Sequence, residues 1–217
     1  MQIEALAAFV GHPQALHSDL IRRFLFDQIY PNAPISGDEV NLALCPIFNS
    51  NIHVFHSALA TFYAPSDISG VGGMLRERIR ATPEWRGECA RYDCMFLEKD
   101  PALPGFRGLH AVQVLLFFSF RHNRKPYPCA LIQWLVPVGD HPCEETGMWI
   151  VEPDLDDEGQ RVTAIVHLET AIRGAHLIPV YGSAFIPHDL HYSETLGAFR
   201  AYYINKYADH HMHEIAF

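Results

Sequence analysis

Near the C-terminus the run Asp209-His210-His211-Met212-His213-Glu214 gathers imidazoles and carboxylates, which are good ligands for zinc or nickel at neutral pH. If the run is helical, His210 shares a face with His213 or Glu214, so these three are the candidate metal ligands. The order is not the HExxH of a zinc peptidase, and the run lies beside Phe217, where helix ends fray. Helix capping and adventitious zinc or nickel account for the same residues, and no cofactor is expected. His53 and His56 read as packing histidines beside a strand.

Two loops resemble ligand cradles. Asp154 to Gly159 has acids at alternate positions and a sixth-position glycine, as in a calcium loop, but the twelfth position is Ile165 where a glutamate belongs. It reads as a solvated hairpin turn. Ser69-Gly70-Val71-Gly72-Gly73 precedes Arg76, Arg78 and Arg80, which are candidates for pairing with an anion such as a nucleic-acid phosphate. The loop lacks the Lys-Ser/Thr of a P-loop and reads as a turn before a short basic helical segment. Cys89 and Cys94 are spaced like half of a zinc site with no second half, so the five cysteines read as ordinary reduced thiols. No Gly-x-Ser-x-Gly elbow is present, and no pair of carboxylates stands out for acid–base work.

The aromatic residues pose a different question. Tyr127, Trp134, Trp149 and Tyr181 fall on or beside expected strands. Gathered on a bent sheet, they would hold a methylated ammonium by cation–π attraction, with the acidic loop Asp140 to Glu145 at the rim. Ordinary core packing uses the same residues.

The elements must position these groups. With 217 residues, 49% hydrophobic and 19% charged, the chain has the composition of a folded domain. A net charge of −9 argues against a dedicated nucleic-acid surface, and direct nucleic-acid binding is not expected. Still, Arg76 to Arg91 holds five arginines (76, 78, 80, 86, 91) against three glutamates (77, 84, 88), enough for local phosphate contact. No run of eighteen apolar residues suggests a membrane span, and Glu4 stands where a secretion signal would be basic.

Helices are predicted over Gln2 to Val10 and from Pro13 to about Tyr30, ended by Pro31 and Pro34. Residues 1–50 thus read as a helical arm and connector. From 51 to 217 the pattern is that of a bent-sheet domain. Strands are predicted from Ile52, over Ala90 to Glu98, Val112 to His122, Tyr127 to Val138, Gly147 to Glu152 and Arg161 to Leu168. A short helix over Glu169 to Ala175, a strand over His176 to Tyr181 with Pro179 at an edge or bulge, and a final helix from a Ser193 cap to about Asp209 complete the chain.

The segments FYAPSDISGVGGMLRERIRATPEWRG (62–87), ARYDCMFLE (90–98), LPGFRGL (103–109), PCALIQW (128–134), GMWIVEPDLDDEG (147–159), AIRGAHLIPVYG (171–182) and AFRAYYINKYADHHMHEIAF (198–217) resemble the C-terminal region of proteins encoded by fungal transposons of the Plavaka or KDZ-associated kind. In those proteins the DNA-cutting core lies upstream, so the resemblance implies an isolated accessory domain and supplies no catalytic residue. The order of sheet, Trp-bearing strand, short helix and HLIP strand also resembles chromatin modules with an SH3-like core, such as bromo-adjacent-homology domains.

The expected fold is α+β: a strongly bent antiparallel sheet or small SH3-like barrel with an N-terminal helical arm and a C-terminal helix. The expected function is non-catalytic binding of a protein partner, a histone peptide being the sharper form, with an intracellular location that is nuclear for a chromatin partner. The alternatives are a metal-dependent enzyme or nuclease relic using the C-terminal histidines, and a structural remnant without a ligand.

Overall fold

A computed structural model describes residues 18–64, 70–183 and 185–217. The helix expected over Gln2 to Val10, the start of the next one and Ser69 lie outside the described residues.

Helix α1, Ser18–Ile29, buries Ile21, Phe24 and Leu25, the i, i+3, i+4 set of one helical face. Its opposite side is not left to water. Arg22 donates to the carbonyls of Leu42, Cys45 and Pro46, and Arg23 to those of Gly37, Asp38 and Val40. Asp27 accepts from the Gly37 amide at 2.6 Å. These bonds strap the irregular connector to the helix, satisfying carbonyls that no ladder reaches.

The centre of the molecule is a long hairpin, β6 (Leu109–His122) and β7 (Lys125–Pro137). Asn123 and Arg124 turn it with φ of 49° and 67°, the left-handed pair that a tight primed turn requires. The register shifts between Val114 and Leu116, so Leu115 is an extra residue. Before this bulge Val112 and Val114 face one side; after it Phe117 does, and Leu116, Phe118 and Phe120 face the other.

Each end of the hairpin recruits different partners. Near the turn, β1 (His53–Phe55) and β9 (Thr163–His167) flank it, and α1 covers the resulting face through Phe24, Phe120 and Tyr127. At the other end the order is β10-β5-β6-β7-β8-β12-β11, with β5 Cys94–Glu98, β8 Ile150–Pro153, β10 Ala171–Ala175, β11 Leu177–Pro179 and β12 Tyr202–Ile204. The two end strands of that sheet, β10 and β11, are separated in sequence only by His176, so the chain itself brings the edges round into a nearly closed barrel. Phe96, Ala111, Leu135, Val151, Tyr202 and Ile204 share its core with Met212 and Ala216 of the last helix, α3 (His210–Ala216). Pro179 sits on the edge strand, where its missing N–H breaks no ladder bond. The fold is therefore α+β, a strongly bent antiparallel sheet with helices at both ends of the described chain. Among the described residues no helix is long and apolar enough to cross a membrane.

A separate ribbon, β2 (Ser57–Tyr63) and β3 (Met74–Thr82), with β4 (Arg91–Tyr92) beside β3, lies on the outer face of this sheet. Ile79 and Ala81 pack there against Met95, Leu97, Val112, Val114 and Phe117.

Three expectations need correction. Met74 to Arg80 is strand, not helix: Leu75, Glu77 and Ile79 alternate with Met74, Arg76, Arg78 and Arg80, a period of two. Glu169 to Ala175 is a 3₁₀ turn (Leu168–Thr170) followed by β10, which completes the barrel edge beside β5. The long helix expected after Ser193 is a four-residue piece, α2 (Thr195–Ala198), followed by β12 and then α3. There Tyr202 and Ile204 alternate into the core, and pairing with β8 and β11 outweighs the helical stripe.

Candidate functional site

An open groove of about 770 Å³ lies where the start of β6 meets the end of β7. Its aromatic lining comes from three local devices. A 3₁₀ turn, Gly105–Gly108, begins where Gly105 adopts φ of 59° and brings Phe106 inward. Ring centroids of Phe106 and Trp149 are 5.4 Å apart, and Trp149 is only 7% exposed, so it forms a floor. Trp134 is half-buried and meets His110 edge-on at 5.1 Å, making a wall. Asp140 and Asp154 border the opening on one strand end, Lys99 and Arg107 on the loop before β6.

Burial lowers the pKa of His110, and the Lys99 charge lowers it further, so the imidazole is neutral at pH 7. Among the described residues the groove lining contains no serine, threonine, tyrosine or cysteine. Its chemistry is that of π faces and apolar walls, with two carboxylates and two cations at the border. It can desolvate an apolar or cationic side chain.

The four expected cage aromatics divide among three places. Trp134 and Trp149 meet in the groove. Tyr127 does not join them: it lies seven residues before Trp134 on β7, about 23 Å away at strand rise. It is 4% exposed, stacked on Phe120 at 5.3 Å beneath α1. Tyr181 follows β11, is 59% exposed and rests edge-on against Phe199 at 5.2 Å. Phe106 and His110 were not singled out from the sequence, since a Pro-Gly loop hides the inward turn of the residue after it.

The expected metal ligands do not converge as a set. Asp209 caps α3 by accepting from the Met212 amide at 2.7 Å. His210 Nδ1 lies 3.7 Å from Glu214 Oε1 on the exposed side, whereas His213 turns toward the Phe217 ring. No group of three or more His, Cys, Asp or Glu side chains able to hold a metal ion occurs among the described residues. Cys94 points into the barrel core, where burial pushes its thiol up to about 12. The loop at Asp154 to Gly159 is a hairpin turn: Asp156 accepts from the amides of Glu158 and Gln160, and Gly159 takes φ of 76°.

The residue that orders the tail is His211, together with Arg173, which the sequence reading passed over. Arg173 is 2% exposed on β10 and grips Asp209 with both terminal nitrogens. Its guanidinium lies 4.6 Å over the Phe62 ring, on which His211 stacks at 5.0 Å. His211 Nδ1 is 3.4 Å from Arg173 Nη1, a contact that requires neutral imidazole as acceptor. Burial and then the Arg173 charge lower the His211 pKa; the Arg173 hydrogen bonds lower that of Asp209.

Arg76, Arg78 and Arg80 all fall on the outer face of the β2–β3 ribbon. Arg78 donates to Ser57 Oγ at 2.9 Å. The Arg80 guanidinium lies 4.5 Å over the Trp85 ring, with Arg91 and Arg86 at 5.3 and 5.5 Å from the same ring. No protein-family model, curated protein or solved structure matches this chain.

Proposed function

We propose that this chain acts by binding, and that the groove between Trp134 and Trp149 receives a segment of a partner protein bearing one cationic side chain. The observation that carries this reading is the convergence of two indoles, Phe106 and a neutral His110 on one opening with Asp140 and Asp154 at its border. Aromatic faces attract a partly desolvated cation, and flanking carboxylates add to that field. Lys99 and Arg107 border the same opening and repel a dense basic tract, so a lone cation among neutral neighbours fits best. A methylated lysine of a histone tail has this chemistry. The resemblance to transposon-encoded accessory regions and chromatin modules supports the same reading: a transposon-derived interaction domain with a chromatin partner, acting in the nucleus.

The test is calorimetric titration with short peptides whose central residue is trimethyllysine, lysine, arginine or glutamine. The cationic peptides should bind about fivefold or more tighter than the glutamine peptide. Asp140→Asn with Asp154→Asn should erase that preference. Trp149→Ala would cost about 3–5 kcal/mol of core packing and report on folding instead. Trp134→Ala, at a half-buried wall, is the informative change. Equal binding by folded Trp134→Ala protein, or no binding of any peptide, would reject the proposal.

A further inference from the structure

The outer face of the β2–β3 ribbon shares no residue with the groove lining and has a different character. Strand alternation places Ser57, Leu59, Thr61 and Tyr63 opposite Arg80, Arg78, Arg76 and Met74 on that face. The same alternation turns Glu77 inward, where it accepts from the Gly174 amide at 3.0 Å and lies 3.5 Å from Arg173 Nε. A stretch that reads as mixed charge in sequence is therefore, among the described residues of the ribbon's outer face, a line of three arginines without a carboxylate.

The line continues past its end. Beyond Arg80 the Trp85 ring gathers Arg86 and Arg91, of which Arg91 is neutralised by Asp93 at 2.8 Å. Arg76 has no hydrogen bond or ion pair among the described residues, and Arg80 Nε is buried with no hydrogen-bond partner. Glu84 and Glu88, exposed in the adjoining turn, offset part of this charge but lie off the ribbon face.

Alternate residues of a strand are about 6.7 Å apart, close to the separation of successive phosphates along an extended nucleic-acid strand. Tyr63 stands at one end of the line, 63% exposed, beside Met74 at 41% and with Leu59 at 55% farther along the same face. A row of cations flanked by an open aromatic ring is the arrangement that holds single strands, with phosphates on the cations and a base on the ring. The ribbon's other face is packed on the barrel, so this outer face is the one open to a ligand. The open Tyr63 ring can stack on an unpaired base, which a duplex does not offer.

We propose that this face binds single-stranded nucleic acid, engaging three to four phosphates through Arg76, Arg78, Arg80 and, at the Trp85 end, Arg86. The net charge of −9 is then a global figure that hides a local surface of opposite sign.

The probe is a dye-labelled oligothymidylate of about fifteen nucleotides, followed by fluorescence anisotropy at graded salt. At a slope of about −0.7 per phosphate, affinity should fall about 18-fold between 50 and 200 mM salt for three contacts and about 50-fold for four. Arg76→Gln with Arg78→Gln, both exposed, should flatten the logarithmic slope by about 1.4. Tyr63→Ala should weaken binding about fivefold or more with the slope unchanged, a stacking effect that charge attraction alone does not produce. Circular dichroism confirms that the variants fold. The proposal is overturned if no binding is detected at 50 mM salt, if the arginine variant retains the full slope, if Tyr63→Ala binds as well as the parent, or if a duplex or heparin is preferred to the single strand.

Discussion

Replacing Arg173 with leucine should release the C-terminal helix, and the structure sets the scale of the loss. Arg173 leaves 3% of its side chain exposed and makes two charge-assisted bonds to Asp209, an ion pair with Glu77 and a cation–π contact with Phe62. Breaking a buried ion pair by removing one partner typically costs about 3–5 kcal/mol, because the other charge is left uncompensated. Here Asp209 and Glu77 keep 36% and 35% of their side chains exposed, so water recovers part of their solvation. The expected loss is therefore at the lower end, about 3 kcal/mol. For a chain of this length that lowers the melting temperature by about 6–12 °C.

The assay is thermal and urea unfolding followed by far-ultraviolet circular dichroism, with hydrogen exchange resolving α3. Asp209→Asn separates the ion pair from the cap, since asparagine caps a helix as well as aspartate does. A double-mutant cycle between the two positions should give a coupling above about 1 kcal/mol. A stability change under about 1 kcal/mol for Arg173→Leu, or additive single changes, would refute the reasoning: α3 would then be held by Met212 and Ala216 in the barrel core.

Three further outcomes are expected. Because the folded-state pKa of His211 lies below its ordinary 6.5, its contribution is whole above that pH and declines as pH falls below it; Asp209 adds a second loss below 3.8. Protection factors of the α3 amides should thus fall below pH 6.5 before those of the sheet do, and His211→Gln should remove the first step. Arg124→Gly, at φ of 67°, should raise the urea midpoint by an amount equivalent to about 1 kcal/mol, since glycine bears no penalty in that region. The Cys143 thiol, held down by hydrogen bonds from Thr146, should alkylate readily at pH 7.5 while Cys94, pushed up to about 12, stays unlabelled; mass mapping checks both, and Thr146→Val should slow Cys143.

The elements legible in the sequence were those with one strong period. The β6–β7 hairpin is largely apolar and bounded by turn chemistry, and α1 shows a clean helical face ended by Pro31. What escaped were segments whose structure depends on partners distant in sequence. β3 mimics a helix by its charge, β10 has one apolar-to-charged alternation too short to weigh, and β12 is three residues long. Each is a strand because another strand lies beside it. The candidate site followed the same rule: Trp134 and Trp149 were visible as residue types, but their meeting depends on the bulge at Leu115, the pairing of β7 with β8 and the turn that brings Phe106 inward.

The Arg173 latch on β10 and the arginine stripe on β3 are joined through Glu77 of β3 and so cannot be independent. Glu77, on the inner face of β3, holds the Gly174 amide and borders Arg173; Arg76 and Arg78, its neighbours, face outward. A Cβ at Gly174 would come within 2.9 Å of the Glu77 carboxylate, so the close approach of ribbon to barrel depends on that glycine. Phe62, across from Leu75 on β2, carries the stack with His211 and the contact with Arg173. A polyanion drawn to the outer face pulls on the same two strands whose inner face clamps α3. If the ribbon shifts on binding, exchange in α3 changes with it; if the ribbon is rigid, the latch is the reason. Measuring α3 exchange with and without oligothymidylate distinguishes these cases. Gly174→Ala, which pushes Glu77 aside, should loosen α3 in both and leave the outer arginines in place.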